Sequence, residues 1–373
     1  MAFLHGQHGQ HGQHGQNIQH GQHGQHGQGA GGGADSPLLT TAMMRARDAI
    51  VGSEQIIGGP PGIPALGEVA RLDRLSADYR AAILGAELIE PLAFVSSRTQ
   101  PADLVCASAG FDHRGAINNN NRGTYRPLID IARPSDELLR EQAQLVGGYA
   151  ALRGDRQAEI LSQTTALLPF YGMVASLESD RAQRILLVLS SALDLATPVV
   201  MRIKMALGCP RPHQFSDRVQ PMIGCPTHAT LPSGHSTQAH LLATVLTLLT
   251  DPAAEVPGDS QLFRLATRIA INRTVAGVHF PADSAAGAVL GIQLGRYLHA
   301  RATGGTIQPL RFNGDLWRAA GNLPRDYHIG ELLAMFGPDA TLTVTDPPVP
   351  VAPAPLWSGM WALAQEELAN RWS

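Results

Sequence analysis

"PSDELLREQAQLVGGYAALRGDRQAEILSQTTALLPFYGMVASL", residues 134–177, decides the fold class. Pro134 and Ser135 stand directly ahead of Asp136 and Glu137, the order that opens a helix. Leu138, Leu139, Leu145, Tyr149 and Leu152 then recur at three- and four-residue spacing, one apolar face of a helix. The same pattern continues downstream. It predicts helices from about Ser179 to Leu207, from Ser233 to near Asp251-Pro252, from about Asp259 to Val275 and from about Pro281 to Ala302. Few segments alternate with period two. The expectation is an all-α protein built as a helical bundle.

Upstream the signals are mixed. "SADYRAAILGAELIEPL" (76–92) predicts a helix, and "GGPPGIP" (58–64) predicts a turn. "FDHRGAINNNNRGTYRP" (111–127) reads as a polar loop whose arginines either reach a site or stay solvated. Residues 5–28 hold seven copies of HGQ and one NIQ, followed by "GAGGGAD". Such a segment has nothing to bury and is expected to be disordered. It is either a histidine-rich metal-binding tail or an affinity or slippage tract without function. Downstream, "DPPVPVAPAP" (346–355) predicts an extended linker. Past it, Trp357, Met360, Trp361, Ala364, Leu368 and Trp372 fall on one helical stripe, which either docks on its own domain or makes a homo-oligomer contact. The chain thus divides into a tail (1–34), a mixed region (35–133), a helical catalytic core (134–303) and a C-terminal extension (304–373).

Bulk properties narrow the function. With 373 residues and 44% hydrophobic content, the chain can bury a sizeable core. A net charge of −3 gives no basic field for nucleic acid, and 5% aromatic content gives little surface for stacking bases. The apolar runs 184–208 and 239–251 read as interrupted or too short for a membrane span of roughly 20 residues. No basic-then-apolar leader is evident. Three cysteines fit a reducing compartment. A Cys209–Cys225 bridge is conceivable, but buried free thiols are the simpler reading. The expectation is a soluble, cytoplasmic protein acting on small molecules, with no membrane span.

Three separated clusters carry chemistry. In "KMALGCPRP", Lys204 and Arg211 lie seven apart, about two helical turns, so both cations can face one point. Gly208 and Pro210 must end that helix, which puts Arg211 in the exit loop between two prolines. "PSGH" (232–235) places a hydroxyl, free amides and an imidazole at a helix start, where anions bind. In "NRTVAGVHFPAD", Arg273 ends a helix and His279 stands just before Pro281. Asp283 is four residues beyond, so it can reach one ring nitrogen of His279, fix the tautomer and raise the basicity of the other. Taken together, three cations, the Ser233 hydroxyl, the Gly234 amide, His235 and His279 would surround one oxyanion.

K-x6-RP, PSGH and R-x5-H-x3-D, in this order, resemble the motifs of the vanadium-dependent haloperoxidase and type 2 phosphatidic acid phosphatase superfamily. The match covers 204–283 and, less closely, the helical run from 134. Asn272 replaces a common serine at a position read as peripheral. The resemblance implies a helical bundle around an internal pocket for vanadate or phosphate. Lys204, Arg211, Ser233, Gly234 and Arg273 would hold the equatorial oxygens. His279 would be the axial vanadium ligand of a peroxidase or the nucleophile of a phosphatase, oriented by Asp283, with His235 as the acid–base group.

The chain's length and long helical lead resemble the soluble haloperoxidase branch. His228, seven residues before His235, matches a second histidine that tunes halide oxidation in bromoperoxidases, or is a loop residue without a role. The leading expectation is a vanadate-dependent haloperoxidase using hydrogen peroxide and halide. The alternative is an acid phosphatase or phosphotransferase with a phosphohistidine intermediate. A third is a non-catalytic phosphate- or metal-binding assembly protein.

Overall fold

A computed structural model describes residues 37–51, 67–99, 104–112 and 125–372. The HGQ tail, the 58–64 turn and residues 113–124 of the polar loop lie outside them. The chain divides into two units, Met1–Arg71 and Leu72–Ser373. The first contains α1 (Pro37–Val51), and α2 (Glu68–Asp73) crosses the boundary.

The second unit follows the predicted helices closely. After α3 (Ala77–Ile89) and three strands come α4 (Asp136–Gly148), α5 (Arg153–Ser162) and α6 (Leu168–Ala175). The long α7 (Gln183–Leu207) and the short α8 (Pro212–Phe215) precede α9 (Gly234–Thr250), α10 (Gln261–Val275) and α11 (Pro281–Thr303). The caps are those expected from composition. Ser135, Ser233 and Ser260 each accept a backbone amide from the first turn of their helix. One detail of the 134–177 reading shifts. The buried face of α4 is Leu138, Leu139, Gln142, Ala143 and Val146, while Leu152 is exposed. The helix gives way at Gly148 to a 3-10 turn over Tyr149–Leu152, which re-aims everything after it.

A sheet joins the helices. The strands β1 (Leu92–Thr99), β2 (Leu104–Asp112), β3 (Tyr125–Ala132), β5 (Leu310–Asn313) and β6 (Leu342–Val344) pair in the order β1-β2-β3-β5-β6. Only β3 and β5 run parallel. β4 (Thr306–Ile307) pairs with β7 (Val349–Pro350), so the proline-rich stretch is partly tied down. Period-two reading missed these strands for a physical reason. β2, "LVCASAGFD", is built of small residues with little hydropathy contrast. In β3, Leu128, Ile129, Ile131 and Ala132 are all buried, so both faces are covered and the alternation is erased. The protein remains mostly helical. After α12 (Ile329–Met335), the terminal α13 (Pro355–Ala369) buries Trp357, Met360, Trp361 and Ala364 in its own domain. Trp357 donates its indole N–H to the Leu298 carbonyl of α11 at 2.8 Å.

Helices α9 and α11 form the closest pair, and glycines explain how. Gly287, Gly291 and Gly295 recur every fourth residue along one edge of α11. A Cβ on Gly287 would stand 2.6 Å from the Ser233 carbonyl oxygen, and one on Gly291 would collide with the Thr237 carbonyl. One on Gly295 would meet the Thr244 side chain at 2.5 Å. The absence of side chains lets the backbones touch. That contact brings the PSGH start of α9 against the first turn of α11. Ser233 N–H donates to the Asp283 carbonyl at 2.9 Å, and the Ser236 hydroxyl to the Ser284 carbonyl at 2.6 Å.

Helix α7 and its exit, Gln183–Phe215, hold an 18-residue window of mean hydropathy 1.6, long and apolar enough to cross a membrane. The sequence reading took Asp194, Pro198, Arg202 and Lys204 as disqualifying interruptions, but the apolar residues between them outweigh these. Most of that window, 61%, is buried within the protein.

Candidate active site

The site is assembled where α10 hands over to α11. Gly277 adopts φ +81°, a conformation that side chains disfavour, and turns the chain. His279 follows, and Phe280 and Pro281 begin α11. Asp283 lies in the first turn, fully buried. Its Oδ2 accepts the Phe280 amide at 2.8 Å, the Thr230 hydroxyl at 2.5 Å and the His279 Nδ1–H at 3.1 Å. Nδ1 therefore carries the ring proton, and Nε2 keeps its lone pair. Among the described residues Nε2 makes no hydrogen bond, so it is the nitrogen left for a ligand.

The ring's basicity runs against the sequence expectation. His279 is held well below the ordinary histidine range, first by burial and then by the charges of Arg211 and Lys204, with His235 and His228 adding to them. The carboxylate that should have raised the ring is itself pushed up to about 6 by burial. It orients the imidazole without making it cationic. The result is a neutral ring with an available electron pair.

The cations are held by carbonyls. Lys204, in the last turn of α7, donates to the Ala229 and Thr230 carbonyls at 2.8 and 2.7 Å. Burial, helped by Arg211, pulls its ammonium down to about 7. Gly208, at φ +58°, ends the helix as expected. Arg211 then sits 2% exposed, donating to the His228 carbonyl at 3.1 Å and the Val278 carbonyl at 2.8 Å. Its Nη2 lies 3.2 Å from His228 Nδ1, so His228 is part of this cluster. All three cysteines are free thiols. Cys209 is buried, and the Cys225 Sγ lies 3.3 Å from His213 Nδ1.

Arg273 stands in the last turn of α10. It is fully buried. Its Nη2 donates to the Ile160 carbonyl at 3.1 Å and to Gln163 Oε1 at 2.9 Å. Among the described residues its Nε and Nη1 have no partner. Burial alone draws it down to about 10. A buried guanidinium with two unmatched donors and no carboxylate beside it is strongly unfavourable unless an anion binds there. On the other side of Gln163, the backbone carbonyl accepts from His235 Nε2 at 2.9 Å, so His235 presents a protonated nitrogen. Ser233 caps α9, and the Gly234 and His235 amides open it with no intrahelical carbonyl to bond.

Comparison with protein families matches residues 184–303 to the PAP2 superfamily. Residues 184–303 are a PAP2 superfamily domain. The superfamily covers phosphoester hydrolases and haloperoxidases. Curated proteins give no match to the chain.

The PAP2 domain contains every site residue expected from sequence, and the fold links them. Lys204, Arg211, His228 and His235 all act electrostatically on His279. Ser233 is tied by its amide to Asp283, and Arg273 and His235 share Gln163. Three supporting residues were not anticipated. Thr230 bridges His279 and Asp283. Gln163, in the turn after α5, lies outside the PAP2 domain and braces two of its catalytic candidates. Asn272, read as peripheral, is buried and donates to Gln163 Oε1 at 3.1 Å and Glu159 Oε2 at 3.0 Å. Only Thr230 carried a sequence signal, being the hydroxyl just before the PSGH turn.

Proposed function

We propose that the PAP2 domain is an enzyme that handles a tetrahedral oxyanion at His279, and that it is a vanadium-dependent haloperoxidase. The observation that carries the oxyanion is Arg273, buried with Nε and Nη1 unpaired. Vanadate fits this donor set. Lys204, Arg211, Arg273, the Ser233 hydroxyl and the Gly234 amide would hold its oxygens, and His279 Nε2 would be its nitrogen ligand. When bound, vanadate activates hydrogen peroxide for oxidation of halide to a hypohalous acid. The chain's residues do the rest. Asp283 and Thr230 keep the His279 proton on Nδ1, the His235 ring would supply a proton or take one back, and burial excludes bulk water. His228 on Arg211 favours the peroxidase reading, because it places a second imidazole beside an oxyanion ligand.

The same geometry supports a second reading, a phosphoester hydrolase. His279 Nε2 would attack phosphorus and break the ester P–O bond, while His235, as the imidazolium, gives a ring proton to the leaving oxygen and becomes neutral. Water would then cleave the P–N bond and return that proton. The neutral His279 ring favours this nucleophile. Under either reading α7 serves as a core helix, and the free thiols fit a cytoplasmic setting.

One pair of assays separates the two. Protein loaded with orthovanadate is given hydrogen peroxide and bromide, and bromination of a dione is followed. Vanadate-free protein is given an aryl phosphate. Vanadate-dependent bromination with negligible phosphate release supports the peroxidase. Fast phosphate release that vanadate inhibits supports the hydrolase. Both rates near zero would overturn catalysis and leave a binding or assembly role.

A further inference from the structure

Gln163 is fully buried, yet among the described residues its Nε2 has no hydrogen-bond partner. The orientation of its amide is forced by charges several residues away. Arg156 Nη1 can only donate, so the Asn272 oxygen must face it, at 3.0 Å. Asn272 Nδ2 then meets the Glu159 carboxylate, which Arg268 holds below the usual carboxylate range. The same Nδ2 points at Gln163, as does Arg273 Nη2, so Gln163 must present its oxygen to both. Flipping either amide would set donor against donor. Gln163 Nε2 is therefore turned away from these partners as an unused donor. It belongs to the residue that anchors both Arg273 and His235.

We propose that Gln163 is a direct ligand of the bound oxyanion, donating Nε2–H alongside Nε and Nη1 of Arg273. This inference rests on the oxyanion reading of the site. Three orphaned donor nitrogens lie on two buried side chains that touch through the Arg273 Nη2–Gln163 Oε1 bond, and together they would make one donor surface. The cost of burying them is removed if a single anion accepts from all three. The neutrality of Gln163 matters as much as its proton. A carboxylate at this position would anchor Arg273 equally well but would cancel its charge and face the anion with lone pairs. An uncharged anchor holds Arg273 in place while leaving its full charge for the ligand.

The test measures equilibrium binding of orthovanadate and of inorganic phosphate to the full chain by calorimetry. Arg273→Ala serves as the pocket control. Gln163→Glu keeps an acceptor for Arg273 Nη2 and Asn272 Nδ2 but removes the donor. It should weaken both anions by about tenfold or more. Gln163→Leu removes the donor without adding charge and should also weaken them. Thermal melts of both variants check that they fold. A second readout is independent of mutation. In 15N-labelled wild type, a Gln163 side-chain N–H resonance, identified by its loss in Gln163→Leu, should move downfield when phosphate is added. If wild type binds neither anion, the oxyanion reading falls and this inference with it. If wild type binds and Arg273→Ala does not, but both Gln163 variants bind normally or the resonance stays fixed, Gln163 is not a ligand and the pocket stands.

Discussion

His279 shows how a reactive group is set by what surrounds its unreactive atom. Three donors converge on Asp283 Oδ2, and one of them is the ring's own Nδ1–H. Asp283→Asn would turn that acceptor into an amide that can offer N–H to Nδ1 and drive the ring proton to Nε2. The turnover number should fall about a hundredfold or more with little change in KM. Steady-state kinetics check this, and an unchanged turnover number would mean that the tautomer is not set by Asp283. His279→Ala should abolish turnover altogether, and retained activity in the same assay would refute its assignment. Arg273→Ala should weaken vanadate and phosphate binding by about tenfold or more, because it strips the pocket of its least compensated charge. At this scale the sequence was legible wherever the chemistry is local. Asp283 lies one helical turn from His279, and Lys204 two turns from Arg211. Thr230 meets His279 across 49 residues and Asn272 meets Gln163 across 109, so no spacing could announce these two contacts, although Thr230 itself stands beside the PSGH turn.

Among the elements, the α9–α11 contact places PSGH against the His279 turn, and the glycine edge of α11 sets its distance. Gly291→Ala would push a methyl group into the Thr237 carbonyl, and backbone cannot yield as a flexible side chain would. The cost should be about 1–3 kcal/mol, seen as a lowered urea midpoint, with loss of anion binding as Ser233 moves off Asp283. Gly85→Ala in α3 is the contrast, since nothing lies within 4 Å of the added Cβ. There the gain in helix propensity should raise stability by roughly 0.5–1 kcal/mol. If both substitutions shift stability alike, the glycine edge is not a close contact. Helices were readable in the sequence because each carries its own period, its cap and its stop. The sheet was not, because β3 and β5 gain their pairing from segments some 180 residues apart and β3 is covered on both faces. Strand identity there is a property of the assembly, not of the strand.

For the molecule as a whole, buried neutral histidines should dominate the response to acid. His240, one helical turn beyond Ser236, gives its Nδ1–H to the Ser236 carbonyl at 2.8 Å and accepts the Tyr327 hydroxyl at Nε2, 2.9 Å away. Burial pulls it from 6.5 to about 4. Above pH 6.5 the ring is neutral in both folded and unfolded chains and stability is unaffected. As pH falls below 6.5 the unfolded chain takes up a proton that the folded one refuses, so stability is lost until the folded ring also protonates near pH 4. The full loss is about 3 kcal/mol, of which about 2 kcal/mol is already present at pH 5. His279, also held well below the ordinary histidine range, acts in the same direction. Asp283, raised to about 6, opposes them, because the fold takes its proton before the unfolded chain does. A comparison isolates His240 from both. Wild type and His240→Gln should be unfolded with urea at pH 8 and at pH 5. The variant starts lower, having lost a packed ring, but it carries no titrating group there. The stability gap should therefore narrow by about 2 kcal/mol at pH 5. A gap that stays constant between the two would mean that His240 is not held neutral by the fold.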